Sequence, residues 1–211
     1  MLNITLKLSL TKDVKNDVII VNLHPNLKGN SMTRKVNNNN TILVPLDFSD
    51  ISLNALKHAT EMAVKYENEI TLVHIEDDTA KAETKLSELA DGIKAENGIR
   101  VNTLIKSGKV SDVIAEVAEA GNYDSIVMGS GGSSGIQLFM GSNASKVIKS
   151  VTIPVIVIKE GHEFKGYEHI VMPVDLSVES KQKVAWAKHL AVKFNSKIHV
   201  IYEEQTDEYF Q

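Results

Sequence analysis

From Thr41 onward the chain alternates short apolar runs with longer segments whose apolar residues recur every three or four positions, a rhythm that restricts topology tightly. Ile42–Leu46, Ile70–Ile75, Ile99–Ile105, Ser125–Met128 and Pro154–Ile158 read as strands. The first intervening helix is capped by Ser49, with an apolar face of Leu53, Leu56, Ala59, Ala63 and Val64. A second runs from Thr79 or Ala80 to Asn97 through Leu86, Leu89 and Ile93, with Gly98 as its stop. Val110–Ala120 and Ser142–Ser150 are the third and fourth.

Strand–helix alternation implies right-handed βαβ crossovers and a parallel sheet. The strands read as apolar throughout, as expected when helices cover both faces. The fold class is therefore an open, doubly wound α/β domain, spanning residues 41–160.

Residues 42–76 align without a gap with 170–204, at a constant offset of 128. Ile42, Pro45, Asp47, Ser49, Ser52, Ala59, Ala63, Val64, Lys65, Ile70 and Glu76 recur as Ile170, Pro173, Asp175, Ser177, Ser180, Ala187, Ala191, Val192, Lys193, Ile198 and Glu204, which makes 11 identities in 35 positions. A register kept so long reads as an internal duplication, with residues 168–211 holding a truncated second repeat.

Residues 1–40 differ in kind. They carry Lys7, Lys12, Lys15, Lys28, Arg34 and Lys35 against Asp13 and Asp17, net +4, whereas the remainder is net −8. Ile4, Leu6, Leu8 and Leu10 alternate with polar residues, Val18–Leu23 is a second strand candidate, and Asn37–Asn40 reads as linker. This stretch is either an upstream extension or a hairpin that adds to a sheet. The acidic body argues against a nucleic-acid partner, which calls for a basic face. No apolar run approaches the roughly 18 residues needed to span a bilayer, and no leader-like block opens the chain. Cysteine is absent, which removes disulfides and thiolate chemistry. A cytoplasmic location is the expectation.

Chemistry concentrates in two places. Met128-Gly129-Ser130-Gly131-Gly132-Ser133-Ser134-Gly135 follows a strand and leads through Gly141-Ser142-Asn143 into a helix. Glycines let the backbone approach a ligand, and unpaired N–H groups at a helix start favour an anion such as a phosphate chain. The alternative is a plain surface loop. Asp47, at the end of the first strand, is the other candidate. A carboxylate repels phosphate, so it would serve the far end of a nucleotide, at a ribose hydroxyl or the adenine amino group; the alternative is that it only caps the following helix. In doubly wound sheets both positions meet at the crevice where strand order reverses.

Val44-Pro45-Leu46-Asp47-Phe48-Ser49, Val73-His74-Ile75 and the Met128–Ser145 stretch together resemble the universal stress protein family, over about residues 41–160 and in part over 168–211. The resemblance implies a five-stranded parallel sheet of order 3-2-1-4-5. It also implies membership of the ATP-binding branch, marked by Gly-x2-Gly-x9-Gly-Ser/Thr. By position, Pro45, Leu46 and Asp47 would meet the adenosine part and Ile75 the adenine through its backbone. Met128, Gly129 and Gly132 would line the ribose and phosphates, and Gly141, Ser142 and Asn143 would hold phosphate oxygens, with Mg2+ accompanying the phosphates. Here eight residues, Ser133–Met140, stand where the family has nine. The family also pairs its last strand with that of another copy, which implies a homodimer through Pro154–Ile158.

Enzymatic signatures are sparse. No P-loop Gly-Lys-Ser/Thr occurs, and no dinucleotide fingerprint follows the first strand. Gly131-Gly132-Ser133-Ser134-Gly135 fits a hydrolase elbow in spelling, but Ser133 lies several residues beyond the strand end. The seven histidines show no metal-ligand spacing, and His74, inside an apolar run, reads as a core residue. The expected function is an adenine-nucleotide-binding regulatory module with at most slow hydrolysis; the alternatives are a nucleotide-free dimerisation scaffold and a serine hydrolase using Ser133.

Overall fold

The computed structural model describes residues 40–77, 79–129, 142–159, 161–174 and 178–202. The strand candidates at 4–10 and 18–23 and the loop 130–141 lie outside them, as do Asp175 and Ser177. The element order is β1 (Thr41–Pro45), α1 (Asp50–Tyr66), β2 (Glu69–Ile75), α2 (Thr79–Asn97), β3 (Val101–Lys106), α3 (Val110–Ala120), β4 (Ser125–Gly129), α4 (Ser142–Ser150) and β5 (Val155–Ile158). There follow β6 (His169–Val174), α5 (Val178–Phe194) and β7 (Lys197–Tyr202). The first five strands form one parallel sheet of order β3-β2-β1-β4-β5, and β6 and β7 form a second parallel pair.

The period-two alternation of side chains divides the interior into two cores. Ile42, Val44, Ile70, Leu72, Val127 and Ile156 point to one face, where Ala55, Leu56, Ala59, Met62 and Ala63 of α1 and Leu86 and Ala90 of α2 cover them. Leu43, Val73, Ile126, Val155 and Val157 point to the other, under Ile114 and Val117 of α3 and Val147 and Ile148 of α4. Helix ends follow local chemistry. Ser49 caps α1 by accepting from the Ser52 N–H, Glu67 ends it in the left-handed region at φ 56°, and Gly98 at φ 67° stops α2.

Edge strand β3 departs from the wholly apolar reading. Asn102, Thr103 and Lys106 are exposed, Ile99 precedes the strand, and only Val101 is fully buried. Sitting outermost, β3 has no helix over its whole second face.

The C-terminal βαβ unit attaches through an aromatic seam. Tyr167, Ile170, Leu190 and Phe194 join the α1-side core; Phe164 packs edge-on against His58 and Tyr167, Tyr66 stacks parallel to Tyr167, and both tyrosines meet Phe194 at a tilt. His58 Nε2 lies 2.6 Å from the Tyr167 hydroxyl, which in turn donates to the Met62 sulfur at 3.6 Å. Burial, with His162 nearby, pushes the His58 imidazole down to about 4. Below the first sheet, Lys193 of α5 donates to Asp124 at 2.5 Å, and His189 lies 3.5 Å from the same carboxylate. No helix among the described residues is long and apolar enough to cross a membrane.

Ile126 is fully buried in the second core, so Ile126→Ala is expected to lower unfolding free energy in urea by about 2–5 kcal/mol, whereas Leu53→Ala, at 38% exposure, costs less than about 1 kcal/mol. His58 sets an acid limit. Its folded pKa lies below that of the unfolded chain, so its contribution is complete above pH 6.5 and is lost as pH falls from 6.5 to about 4. The loss amounts to roughly 3 kcal/mol, and urea titrations of His58→Phe should show a flatter stability–pH profile across that window.

Candidate functional site

All five strands of the main sheet run the same way, so their carboxyl ends share one edge. Pro45 pairs with Val73, which sets Asp47 beside the end of β2 at Ile75. Leu43 pairs with Ile126, which brings Leu46 level with the end of β4 at Met128 and Gly129. Because β1 lies between β2 and β4, with α1 leaving β1 over one face and α4 leaving β4 over the other, a crevice forms here. A crossover helix runs opposite to its strands, so α4 starts on this edge, with Ser142 and Asn143 in its opening turn. Gly132, Gly141 and Ser133 lie outside the described residues, and Ser142 and Asn143 are placed in backbone only.

Asp47 is exposed beyond β1. One of its oxygens accepts from the Ser49 N–H at 3.0 Å and the Ser49 hydroxyl at 2.5 Å, and its own N–H donates to the Ser52 hydroxyl at 3.4 Å. Ser49 Oγ in turn accepts from the Ser52 N–H. The cap is therefore Ser49, and Asp47 braces it through Oδ1. Burial pushes the Asp47 carboxyl up, but the hydrogen bonds from Ser49 and Ser52 outweigh it and hold it below 3.8, so it is a carboxylate at neutral pH.

The turn from β1 into α1 is strained and supported. Phe48 sits at φ 61°, a region that side chains seldom enter. Its ring packs 4.8 Å from His74, and the Lys85 ammonium lies 4.1 Å from its centroid. Buried His74 donates from Nδ1 to the Leu46 carbonyl at 2.7 Å, while its Nε2 is 3.1 Å from Glu76. This bridge ties the end of β2 to the end of β1, directly ahead of Asp47. His74 is thus a core residue with both ring nitrogens engaged. The parts played by Phe48, Glu76 and Lys85 escaped sequence reasoning, and only the apolar setting of His74 hinted at them.

Gly129 is required by space. A Cβ there would lie 2.4 Å from Ile51 Cγ2 and 2.7 Å from the Ile51 carbonyl oxygen, so β4 ends in contact with the first turn of α1. The side chains of Leu46 and Met128 turn into the two cores, which leaves their main chains to the crevice. Ile75 is half-buried and Pro45 likewise.

Gly129→Ala is expected to displace the first turn of α1 and lower stability by about 1–3 kcal/mol, with the melting temperature as the check. Ser49→Ala should cost about 1 kcal/mol through loss of the cap, read from the urea midpoint.

The model of the universal stress protein family matches residues 38–159. A universal stress protein of Methanocaldococcus jannaschii is 30% identical over 138 residues, covering 56% of this chain and 81% of the relative. Universal stress protein G of Salmonella typhimurium is 28% identical over 141 residues, covering 56% of this chain and 98% of its own. Among solved structures, a universal stress protein in complex with cAMP superposes with a TM-score of 0.50 at 25% identity, over 57% of this chain and 97% of that one. One from Archaeoglobus fulgidus gives a TM-score of 0.66 at 23% identity, over 81% of this chain and 70% of that one, a likeness of fold. The matched family span holds the whole five-stranded sheet and its carboxyl edge, and the chain belongs to the universal stress protein family.

Proposed function

We propose that the chain is a regulatory module that binds an adenine nucleotide, ATP in the first instance, in the crevice at the carboxyl edge of the main sheet. The observation that carries the reading is the convergence of Asp47, the ends of β2 and β4 and the start of α4 on that edge. In this reading Asp47 Oδ2 accepts from the adenosine part, because Oδ1 is already committed to Ser49. The Ile75 and Leu46 main chains border the base. The phosphates take N–H donors from Gly129, Gly132, Gly141, Ser142 and Asn143, where the α4 dipole favours negative charge. Magnesium would enter as the counter-ion of the triphosphate. The related protein solved with cAMP supports an adenine ligand.

Contacts made by the phosphates along residues 129–143 pass to α4 and so to β5, which follows it. Two copies joined through Pro154–Ile158 would sense occupancy by that route. The chain is read as cytoplasmic, with residues 168–211 a partial second copy of the 41–160 domain and residues 1–40 an extension.

Mass spectrometry of small molecules released from purified protein is expected to find an adenine nucleotide. Added ATP at a hundredfold over its dissociation constant contributes about 2.7 kcal/mol, which raises the melting temperature by roughly 5–10 °C. Asp47→Ala should weaken binding by about 10–100-fold without loss of fold. No released nucleotide and no thermal shift with ATP, ADP or cAMP would leave the scaffold reading. Sedimentation equilibrium at micromolar concentration tests the pairing, and a monomer would count against it.

A further inference from the structure

A second place for chemistry lies away from this crevice, on the C-terminal βαβ unit. Strands β6 and β7 run parallel, with His169 opposite Lys197 and Val171 opposite His199. Strand alternation puts His169 and His199 on the same face of the pair, opposite Ile170, which belongs to the α1-side core with Leu190 of α5, and opposite buried Met172. The two imidazoles meet there directly: His169 Nδ1 is 2.8 Å from His199 Nε2, with ring centroids 5.0 Å apart. His199 is exposed and His169 half-exposed.

A hydrogen bond at that separation uses one N–H. When the donor ring takes its other neutral tautomer, with the proton on its remote nitrogen, two lone pairs face each other, and small χ rotations turn both toward a shared point beside the N···N line, while the strand register keeps the two residues side by side. A metal–nitrogen bond is about 2.0–2.1 Å long, so two cis nitrogens on a square or octahedral centre stand about 2.9 Å apart. A tetrahedral centre needs about 3.3 Å on the same bond length. We propose that His169 Nδ1 and His199 Nε2 form a two-point site for a divalent late transition metal of tetragonal preference, Cu2+ ahead of Ni2+ and both ahead of Zn2+. No group of three or more His, Asp or Glu that could hold a metal occurs among the described residues, so water completes the coordination. Lys197, on the same face and opposite His169, opposes the cation and weakens the site.

The test is titration of untagged full chain with Cu2+ at pH 7.5, followed by calorimetry and electron paramagnetic resonance. Expected are one equivalent bound and nitrogen splitting from two imidazoles. His169→Asn and His199→Asn should each weaken binding at least tenfold. Lys197→Glu, which removes the opposing charge and supplies a carboxylate, should tighten it severalfold, a gain that misfolding cannot produce. Unchanged one-equivalent binding in the His169→Asn/His199→Asn double variant, or no gain from Lys197→Glu, would overturn the proposal.

Discussion

Strand β1 is hydrogen-bonded on both edges, to β2 and to β4, and the crevice at the carboxyl edge of the main sheet depends on that arrangement. A five-residue strand flanked by two parallel partners is buried on both faces, so nearly every position must be apolar: Ile42, Leu43 and Val44 are fully buried. Helix α1 leaves β1 over one face and α4 leaves β4 over the other, and the gap between them opens at the carboxyl edge. Asp47 stands at that gap because it is the second residue past the last paired position of β1. Its setting is enforced from three directions, by the Ser49 cap, by the His74 bridge to Leu46, and by Gly129 lying against Ile51.

This support offsets a local cost. Phe48 in the left-handed region is unfavourable by about 1–3 kcal/mol, and such a turn persists only where its surroundings determine it. The ring of Phe48, held between His74 and Lys85, supplies part of that determination. Strain held at the exit of a central strand, directly beside an exposed carboxylate, means that the protein's own contacts set the shape of this corner.

The C-terminal unit is joined by different means. Two strands and a helix do not bury enough surface to be stable alone, and this pair draws on the first domain for its core through Tyr167, Ile170, Leu190 and Phe194. The Lys193–Asp124 pair, largely shielded from water, fixes where α5 sits more than it adds stability, since removing charges from water offsets much of their attraction. Lys193 stands where the 128-residue offset aligns it with Lys65, yet it holds a carboxylate of the neighbouring unit, while Lys65 lies near the Tyr66 and Phe164 rings.

Much of the fold was legible in the sequence, because the physics that sets it is local and periodic. Buried parallel strands announce themselves as short apolar runs, helices as a 3.6-residue stripe, and their ends as Ser49 and Gly98; the five-strand alternation determined the fold class, and the family motifs its strand order. β3 was legible as a strand but not as an exposed one: at the edge it lacks the cover that keeps central strands apolar, so Asn102 and Thr103 stand exposed there. Asp47 and the ends of β2 and β4 were legible as candidates because motif and strand end coincide there. What only tertiary structure decided are contacts between residues distant in the chain: His74 on Leu46, Gly129 on Ile51, Tyr167 on His58, Lys193 on Asp124 and His169 on His199. Each depends on register and on the angle at which a helix crosses a sheet, and these quantities are fixed by the packing of whole side chains, leaving no period in the sequence.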